Sequence, residues 1–600
     1  MKKNFIITTG LIDTWEFYEN NFLLGKWCEF FGSDDFDEEK FGKTIPKKIN
    51  IIKNPHHWRD LEKQVKDYEY LKKKIEYLLE LISDKLSTIH NVNETKEYWR
   101  TIIYLWLANY VTYVFDRWEN IRIFFEKNKN EEFYSNFILL NDSDYVPKNH
   151  MDFMYNSQKH EWNHLIFLRI FNFLNYKNLS LIKKKNTKNN SKKQTPFKTQ
   201  NFSFPIHIIN LIDNMISKFA FKFNKIIFES FYFPKKEYLK VCLKLKLIPS
   251  KYSNFFDSDI EENLPKDNKR IEFKNLLFKI DTQDKFIKFL LLNLYKDMPK
   301  SYLENFDAIK KNFLPLAKKK KIIFSMHSLY YKDNFKIYLA ETKKVGSQYI
   351  HSPHGGGLTE KIPTQTYNLI EKVSDKVITW GNAKPKQNLF INLSPTMPIT
   401  TLKKSKIGDY CSIVLAIQNK YAKFPQGPFF EQSIDLFKEI VQFVDKLDPE
   451  IKSKVKYRIK ANRFAKMTSQ IFGDKNLDKV SIKNPFMKTI LNSKLIIVTH
   501  PQTSFSEAMH VNIPTILINK KNHWLFSKTA LDTLDVMKQN KIAFEDFNEA
   551  KIHINKYWKE LDVWWKSKNV QFAREMYLTN FFNVKPNWFK EWSDYIYSLD

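Results

Sequence analysis

The sequence VGSQYIHSPHGGGLTEKIPTQTYNLIEKVSDKVITWG, residues 345–381, carries the most informative pattern of the chain. It places Gly355, Gly356 and Gly357 directly after His354, in a chain with twelve glycines among 600 residues. Glycine adopts backbone angles closed to other residues and lets a ligand approach the main chain. The N–H groups of such a loop form a nest for an anion. We therefore predict that this loop lines a central cleft and binds an anion there.

Short apolar runs and helical patterns alternate on both sides of this loop. Strands that alternate with helices indicate a parallel sheet with helices on both faces. We predict a Rossmann-like domain over residues 316–540 and a Trp-rich helical segment over 541–600. The predicted strands are 322–328, 347–352, 376–380, 410–417, 454–460, 495–500 and 515–519.

The preceding part of the chain opens with the same order of elements, beginning with an apolar strand at 4–9. From residue 58 to Trp118, apolar side chains recur at the spacing of two long helices. We predict an N-terminal Rossmann-like domain over 1–315 with a helical insertion at 58–175. The basic, polar run at 176–204 is predicted to be a linker, and a surface patch for anionic lipid or nucleic acid is the alternative.

The composition favours an acidic partner. Lys and Arg number 97 and Asp and Glu 67, which gives a formal net charge of +30. That excess suits nucleic acid, an anionic membrane face or a nucleotide-bearing substrate. AT-rich coding sequence, which enriches Lys, Asn and Ile, explains the excess equally well.

Cysteine usage and hydropathy predict a cytoplasmic protein. Three cysteines far apart indicate neither a disulfide framework nor a Cys-type zinc site. The charged start Met1–Lys3 precedes a very short apolar run with no cleavage site, so no signal peptide is predicted. The longest apolar run, near 101–115, is shorter than the ~20 residues that span a bilayer. Peripheral contact with the inner face of the cytoplasmic membrane is compatible with this pattern.

A second anion site is predicted in the strand, loop and helix of residues 494–518. The spacing Ser504-x-x-Glu507 is that of a capping box, which indicates that a helix begins there. Thr503, Ser504 and Ser506 then surround a helix N-terminus, whose free N–H groups and dipole favour phosphate. The alternative is that Ser504 and Glu507 cap the helix and bind no ligand.

Three basic residues and one histidine extend the predicted site. Arg458 and Lys460 alternate along a strand and share a face, and Arg463 follows just beyond. These cations would neutralise a diphosphate, unless they lie on a solvated edge strand. His354 would donate to a phosphate or act as an acid or base, and Glu371 is near enough in sequence to reach the same cleft.

Several other sites are not predicted. The sequence has neither a G-x-x-x-x-G-K-[ST] phosphate loop nor a G-x-G-x-x-G dinucleotide fingerprint. The two D-x-D patterns at 142–144 and 257–259 lie in polar loops and are too short to indicate metal. His56 and His57 lack partners at ligand spacing. We predict no metal site and no cofactor.

The ordered set of motifs resembles a family of bacterial surface-carbohydrate transferases of the O-antigen or capsule type. That family carries an N-terminal L-G-x-W-C signature, a central Q-H-G-G loop and a W-W near the C-terminus. Pro353 stands where the family has Gln, so this chain lacks a side-chain amide at that position. The matching residues are Thr8-Thr9, Trp15, Leu24 to Cys28, His354 to Gly356, Ser374 to Lys376, Thr379 to Gly381, Thr503 to Glu507, Pro514-Thr515, Trp564-Trp565 and Gln571 to Arg574.

The resemblance implies an α/β, GT-B-like fold with two Rossmann-like domains that face a cleft. The C-terminal domain would bind a nucleotide-activated sugar, and the N-terminal domain a lipid-linked or glycan acceptor. The more distant likeness to capsule and teichoic-acid enzymes implies a CMP- or CDP-linked donor and no bound metal. The catalytic base would be Glu371, Asp13 or Glu161.

Two rival functions remain open from the sequence. The same fold serves transferases that move a polyol phosphate from a CDP carrier. A basic nucleic-acid-binding protein is the remote alternative, and it requires aromatic residues interleaved with Lys and Arg on one surface. The aromatics here fall at core-like spacing, so we expect no nucleic-acid partner.

Overall fold

The computed structural model describes residues 3–30, 49–185, 215–250, 252–256, 268–356, 364–382, 388–396, 408–425, 427–459, 464–479, 485–521 and 523–599. The predicted α/β class is confirmed, with helices packed on parallel sheets. The described strands form three sheets, in which each pairing is parallel. We call them the N-terminal, middle and C-terminal sheets. The sequence predicted two such domains, so one sheet was missed.

The N-terminal sheet has the strand order β3-β2-β1-β4-β5. The order reverses between β1 and β4, which creates a crevice at their carboxyl ends. β5 lies inside the run 176–204 that was predicted to be a linker, so that prediction is wrong for residues 179–184. The strands are β1 (Asn4–Ile7), β2 (Asn20–Leu23), β3 (Asn50–Lys53), β4 (Phe133–Ile138) and β5 (Leu179–Lys184).

Two long helices connect β3 to β4. Asp60 caps the first by accepting from the N–H groups of Glu62 and Lys63, and Thr95 caps the second. The second helix is buried around most of its circumference because it packs against helices from both the N-terminal and middle sheets. The predicted insertion at 58–175 also contains β4, so it is part of the sheet crossover. The helices are α1 (Leu61–Ile89), α2 (Lys96–Lys127), α3 (His150–Asn156) and α4 (His160–Leu174).

The middle sheet has the order β10-β9-β8-β7-β6 and crosses the predicted domain boundary at 315/316. Phe228 of β6 pairs with Phe324 of β7, so the boundary separates neighbouring strands and is wrong. The strands are β6 (Ile226–Glu229), β7 (Ile322–Ser325), β8 (Gln348–His351), β9 (Lys376–Thr379) and β10 (Phe390–Asn392). The helices are α5 (Lys235–Lys244), α6 (Lys269–Phe278), α7 (Lys285–Asp297), α8 (Phe306–Phe313), α9 (Ser328–Tyr331), α10 (Asp333–Lys343) and α11 (Gln365–Val373).

The two faces of the middle sheet belong to different hydrophobic cores. Ile323 and Tyr349 pack into the core that holds α1 and α2. Their chain neighbours Phe324 and Ile350 pack into the core of the C-terminal sheet. Successive side chains of a strand point to opposite faces, so this sheet is buried on both sides. Its strands therefore read as continuous apolar runs in the sequence.

The C-terminal sheet has the order β13-β12-β11-β14-β15-β16, with its reversal between β11 and β14. The last strand of this sheet lies inside the predicted helical segment at 541–600, so the predicted start of that segment is too early. The strands are β11 (Tyr410–Leu415), β12 (Val455–Ile459), β13 (Leu477–Lys479), β14 (Ser493–Val498), β15 (Thr515–Ile518) and β16 (Ala543–Phe544). The helices up to β16 are α12 (Phe430–Asp445), α13 (Pro449–Lys452), α14 (Ala465–Phe472), α15 (Phe486–Asn492), α16 (Thr503–Val511) and α17 (Lys528–Gln539).

The last helices hold the middle and C-terminal sheets together. Trp592 Nε1 donates to the carbonyl of Ser394, just beyond β10 of the middle sheet. Arg574 Nε donates to the carbonyl of Met509 on α16, which follows β14 of the C-terminal sheet. These helices are α18 (Phe547–Tyr557), α19 (Leu561–Trp565), α20 (Lys568–Phe581) and α21 (Trp588–Tyr597). Among the described residues, no helix is long and apolar enough to span a membrane.

Candidate active site

The carboxyl ends of β8 and β14 meet, although the two strands lie in different sheets. The glycine loop follows β8, and α16 follows β14. The N–H group of Gly356 donates to Thr503 Oγ1 at 2.9 Å, across 147 residues of sequence. Thr503 is the first residue of α16. The sequence placed both motifs in one sheet, whereas here a loop of the middle sheet docks on a helix of the C-terminal sheet.

The size of glycine explains this close contact. A Cβ atom at Gly355 would lie 2.6 Å from Thr503 Oγ1, and one at Gly356 would lie 3.1 Å from Thr503 N. Neither glycine has a φ in the left-handed region. These two glycines are therefore needed for the approach of the loop to α16 rather than for an unusual backbone angle. Gly357 lies outside the described residues.

The start of α16 differs from the predicted capping box. The helix is preceded by Gln502 as N-cap, with no side-chain cap, so Ser504 and Glu507 do not cap it. Among the described residues, the N–H groups of Thr503 and Ser504 have no hydrogen-bond acceptor. Two free N–H groups at the positive end of a helix dipole are the donors that an anion would use.

On the next turn of α16, Ser506 is buried and Glu507 is half-buried. Ser506 Oγ lies 2.8 Å from the hydroxyl of Tyr577 on α20. Burial raises the pKa of Glu507 to about 7, and the positive charge of Arg458 opposes that rise only in part. A carboxyl group with this pKa holds a proton for part of the time at neutral pH, as a general acid must.

The predicted cationic face on β12 is only partly observed. Arg458 is 4% exposed, and its Nη1 donates to Asp478 of the neighbouring strand β13 at 3.1 Å. Its guanidinium also lies over the ring of Phe486, 5.6 Å from the centroid. Arg458 therefore contributes positive potential beside Glu507 but is already bound by a carboxylate. Lys460 and Arg463 lie outside the described residues.

Three histidines cluster at the carboxyl ends of β7 and β8. His351 is fully buried, with Nε2 at 2.9 Å from the Tyr330 hydroxyl and Nδ1 at 3.1 Å from the Tyr349 hydroxyl. Burial lowers the pKa of His351 to about 3, so its ring is neutral and structural. His354 lies beside the rings of Tyr330 and His327. Desolvation, and then repulsion from His327, lowers the pKa of His354, so its ring is neutral at pH 7 and can accept a proton.

The three predicted bases lie in two other places. Glu371 is on α11, where its carboxylate interacts with Tyr367 and lies near Tyr68 of α1. Glu371 therefore lies where α11 packs against the helices of the N-terminal sheet. This position does not support its assignment to the cleft. Asp13 and Glu161 lie at the carboxyl edge of the N-terminal sheet, in the turn after β1 and the first turn of α4.

The loop after β11 reaches that edge of the N-terminal sheet, which the sequence did not predict. His160 Nδ1 accepts from the Gly10 N–H group at 3.1 Å and lies 2.7 Å from the Tyr421 hydroxyl. Arg117 donates to the carbonyl of Ala422 at 3.0 Å. β11 and β14 flank the reversal in the C-terminal sheet, and their two loops contact the N-terminal and middle sheets respectively. The carboxyl edges of all three sheets therefore meet at this reversal, where ligands bind in open α/β sheets.

A histidine cluster beside this junction was also missed. His56 Nε2 and His57 Nε2 lie 2.9 and 3.1 Å from Asp116 Oδ1. The prediction that these histidines lack partners at ligand spacing is therefore wrong. His56 Nδ1, however, accepts from the Trp58 N–H group at 3.1 Å. In the neutral ring the proton is then on Nε2, which lies 2.9 Å from Asp116 Oδ1, and a protonated ring nitrogen cannot ligate a metal. The cluster therefore fits a hydrogen-bond network with Arg117 rather than a metal site.

The D-x-D pattern at 142–144 is also accounted for by pairing. Asp142 Oδ1 accepts from Arg169 at 2.7 Å, and Asp142 Oδ2 lies 2.9 Å from Lys296. Two cations on one carboxylate leave it poorly suited to a metal ion. The pattern at 257–259 lies outside the described residues.

Comparisons with known proteins give a family and distant structural likenesses. A family model described as LIC12162 family transferase matches residues 4–596. No curated protein matches the sequence. Among solved structures, a TarM mutant of S. aureus, in complex with fondaparinux, alpha-GlcNAc-glycerol and UDP, is similar at 16% identity and a TM-score of 0.32. That match covers 48% of this chain and 58% of TarM, so the chain spans less than two thirds of that relative.

Two further matches are of the same weak kind. HepE of Anabaena, in complex with UDP and glucose, has 9% identity and a TM-score of 0.33, with 62% of this chain and 100% of HepE covered. MurG of Acinetobacter baumannii has 12% identity and a TM-score of 0.29, with 49% of this chain and 78% of MurG covered. TM-scores this low carry no argument about the site or the substrate of this chain.

Proposed function

Because the chain belongs to the LIC12162 family of transferases, we propose that it is a glycosyltransferase of cell-surface polysaccharide synthesis. The sugar would move from a nucleotide-activated donor to a lipid-linked or glycan acceptor. The observation that supports this most directly is the contact of Gly356 with Thr503, which joins the middle sheet to the start of α16. This contact supports the proposal because His354 belongs to one of the two joined segments, and Glu507 and the free N–H groups of α16 belong to the other.

In this proposal the C-terminal sheet binds the donor. The N–H groups of Thr503 and Ser504 would hold its phosphates at the start of α16. Arg458, Lys460 and Arg463 would lower the cost of the phosphate charge, Arg458 through the potential it adds near Glu507. Glu507, whose pKa is about 7, would protonate a donor oxygen or hold a ribose hydroxyl.

His354 would lie between donor and acceptor. It is neutral at pH 7 because its pKa is lowered, so it would accept the proton of the attacking hydroxyl or donate a hydrogen bond to the leaving phosphate. Asp13 and Glu161 lie at the edge of the N-terminal sheet, and we retain them as proposed contacts of the acceptor. Glu371 is not retained because it lies on the α11–α1 packing surface.

The test combines ligand binding with turnover. Nucleotide sugars with uridine, cytidine, guanosine and thymidine carriers are screened for a rise in melting temperature, since a ligand of the native state stabilises it. The stabilising donor is then incubated with His354→Ala, and His510→Ala at the far end of α16 serves as control. We expect His354→Ala to keep the melting temperature and lose about 100-fold or more in donor turnover. Wild-type turnover in His354→Ala would refute the assignment.

The released nucleotide separates this function from a polyol-phosphate transfer. A sugar donor of the UDP or CDP type leaves a nucleoside diphosphate, whereas a CDP-polyol leaves CMP. A CMP-linked sugar also leaves CMP, so each donor is assayed separately, and chromatography of its products then identifies which group moves. Release of CMP from a CDP-polyol, together with no reaction of any nucleotide sugar, would establish the alternative.

We also propose that the protein works in the cytoplasm at an anionic membrane face, because its formal net charge is +30. Sedimentation with vesicles that contain phosphatidylglycerol tests this. Binding should fall as salt is raised, since surface charges are screened over a Debye length. Equal sedimentation with vesicles of neutral lipid would contradict an electrostatic contact.

A further inference from the structure

We propose that four rings at the carboxyl edge of the middle sheet form an acceptor subsite that stacks a pyranose sugar. The rings belong to Tyr232, His327, Tyr331 and His354, and we call them the aromatic platform. The inference rests on the proposed function and deepens it, because it assigns the acceptor as a glycan and gives the place where its terminal sugar binds.

The platform is a continuous set of rings. The His327 ring is central, with centroids 5.9 Å from Tyr232, 6.3 Å from Tyr331 and 6.2 Å from His354. Tyr232 and Tyr331 are 40% and 37% exposed, so parts of their surfaces face solvent. Large aromatic side chains are normally buried more fully, and an exposed group of them beside a candidate active site indicates a binding surface.

The exposure of Tyr232 is built into the local structure. Its neighbours Phe231 and Phe233 both pack against Trp592 in the core. Tyr232 between them faces the other way. Ser230, just before these residues, has a φ of 51°, a left-handed angle that is rare for serine. Such angles persist where the surroundings fix them, and they cluster at functional sites.

Hydrogen bonds hold the two tyrosines in a fixed relation. Ser230 Oγ donates to Glu229 Oε1 at 2.7 Å and lies 2.8 Å from Ser328 Oγ, at the start of the short helix that carries Tyr331. Ser325 Oγ donates to the other oxygen of Glu229 at 3.2 Å. Glu229 is fully buried. The platform is therefore preorganised, which reduces the entropy lost when a ligand binds.

The chemistry of the platform suits a pyranose. One face of such a ring presents axial C–H groups to an aromatic ring, and its rim presents hydroxyl groups. Burial raises the pKa of both Tyr232 and Tyr331, so both phenols stay protonated and can donate to sugar hydroxyls. Because His354 belongs to the platform and to the glycine loop, a stacked sugar would place its reacting hydroxyl beside the donor.

The test uses fluorine NMR with 3-fluorotyrosine incorporated at one position at a time: 232, 331 or 77. Tyr77 is the control because it is 43% exposed on α1 of the N-terminal domain. The full-length protein is titrated with methyl glycosides of glucose, galactose, mannose, rhamnose and N-acetylglucosamine, and with sorbitol, a polyol without a pyranose ring. We expect at least one glycoside to shift the resonances at 232 and 331 saturably, with no shift at 77 and none with sorbitol.

The opposite results would overturn the proposal. These are no saturable shift with any glycoside, or the same shift with sorbitol. The glycoside that shifts the resonances also serves as acceptor in turnover assays, in which Tyr232→Ala and Tyr331→Ala should raise KM about tenfold. In these assays kcat should stay unchanged, and Tyr77→Ala should leave KM unchanged. KM values equal to that of the wild type in all three variants would also overturn the proposed subsite.

The failure of the subsite and the failure of the proposed function give different results. A nucleotide sugar that raises the melting temperature, together with no glycoside shift, refutes the platform alone. Glycoside shifts without stabilisation or turnover of any nucleotide sugar refute the glycosyltransferase and leave a glycan-binding surface.

Discussion

At the residue scale, Gly355 sets the distance between two sheets. A Cβ atom there would lie 2.6 Å from Thr503 Oγ1, which real Cβ atoms do not tolerate. We expect Gly355→Ala to lower stability by about 1–2 kcal/mol, because the Thr503 side chain must rotate away and give up the hydrogen bond that it accepts from the Gly356 N–H group. Thr503→Ala removes the clashing oxygen, so the double variant should recover part of the loss. Urea unfolding of the wild type, the two single variants and the double variant measures the coupling energy between the two positions. Additive effects would show that the two residues do not touch.

Glu507 makes stability depend on pH. Its pKa is about 7 in the folded protein against 4.5 as the ordinary value, so the folded state binds the proton more tightly. The raised pKa does not lower the free energy of unfolding below about pH 4.5. The destabilisation grows as the pH rises toward 7 and levels off above pH 7. We expect Glu507→Gln to gain up to about 3 kcal/mol over the wild type at pH 8, and almost none near pH 4.5.

Urea unfolding at several pH values measures this difference. Asp474→Asn, which removes an exposed carboxylate of the same domain, serves as control. A difference between wild type and Glu507→Gln that stays constant from pH 4.5 to 8 would contradict the raised pKa of this carboxyl group.

The sequence predicted several of these residues but not their contacts. It singled out His354, Gly355, Gly356 and Thr503 from glycine density and from the strand–loop–helix pattern. It could not show that Gly356 meets Thr503, because the two belong to different sheets and lie 147 residues apart. The capping box failed for a local reason: Ser504-x-x-Glu507 has the right spacing, but α16 begins one residue before Ser504.

At the scale of elements, α16 is fixed at its far end by Asn512. This residue follows the helix with a φ of 61°, and its Oδ1 accepts from the Trp565 Nε1–H group at 2.8 Å. Asn512→Gly keeps the left-handed angle and loses the hydrogen bond, whereas Asn512→Ala loses both. We expect losses of about 1–2 kcal/mol for Gly and about 1 kcal/mol more for Ala. Chemical denaturation measures the order, and a more stable Ala variant would contradict it.

Elements were predictable where their pattern was local. The helical period of α1 and the apolar strands β7, β8, β14 and β15 were all visible in the sequence. The grouping of strands into sheets was not, because the strands of the middle sheet run from Ile226 to Asn392. Charged runs such as Lys318–Lys321 suggested a domain boundary at 315/316, although they lie in the connection between paired strands β6 and β7.

At the scale of the whole molecule, a buried network joins the N-terminal sheet to the loop after β11. Arg117 is fully buried, bonded to Asp116 and to the carbonyl of Ala422. Asp116→Ala leaves this guanidinium without its carboxylate, so we expect a loss of about 3–5 kcal/mol. Arg59 joins the same two units through ion pairs with Glu431 and Asp435, but its side chain is 42% exposed. Arg59→Ala should cost about 1 kcal/mol or less.

Thermal and urea unfolding of the two variants measures this contrast. The comparison is informative because both residues join the same units and differ mainly in burial. A larger loss for Arg59→Ala than for Asp116→Ala would show that the surface contact, and not the buried network, holds the N-terminal sheet in place.

The middle sheet has a consequence for how the molecule unfolds. Since Ile323 faces one core and Phe324 the other, neither core survives the loss of that sheet. The two halves should therefore melt in a single calorimetric transition, although a chain of this length usually divides into independent parts. For the same reason, fragments cut at 315/316 would each expose an unpaired strand edge and should aggregate when expressed alone. We therefore expect the protein to unfold as one cooperative unit, because both cores pack on this one sheet.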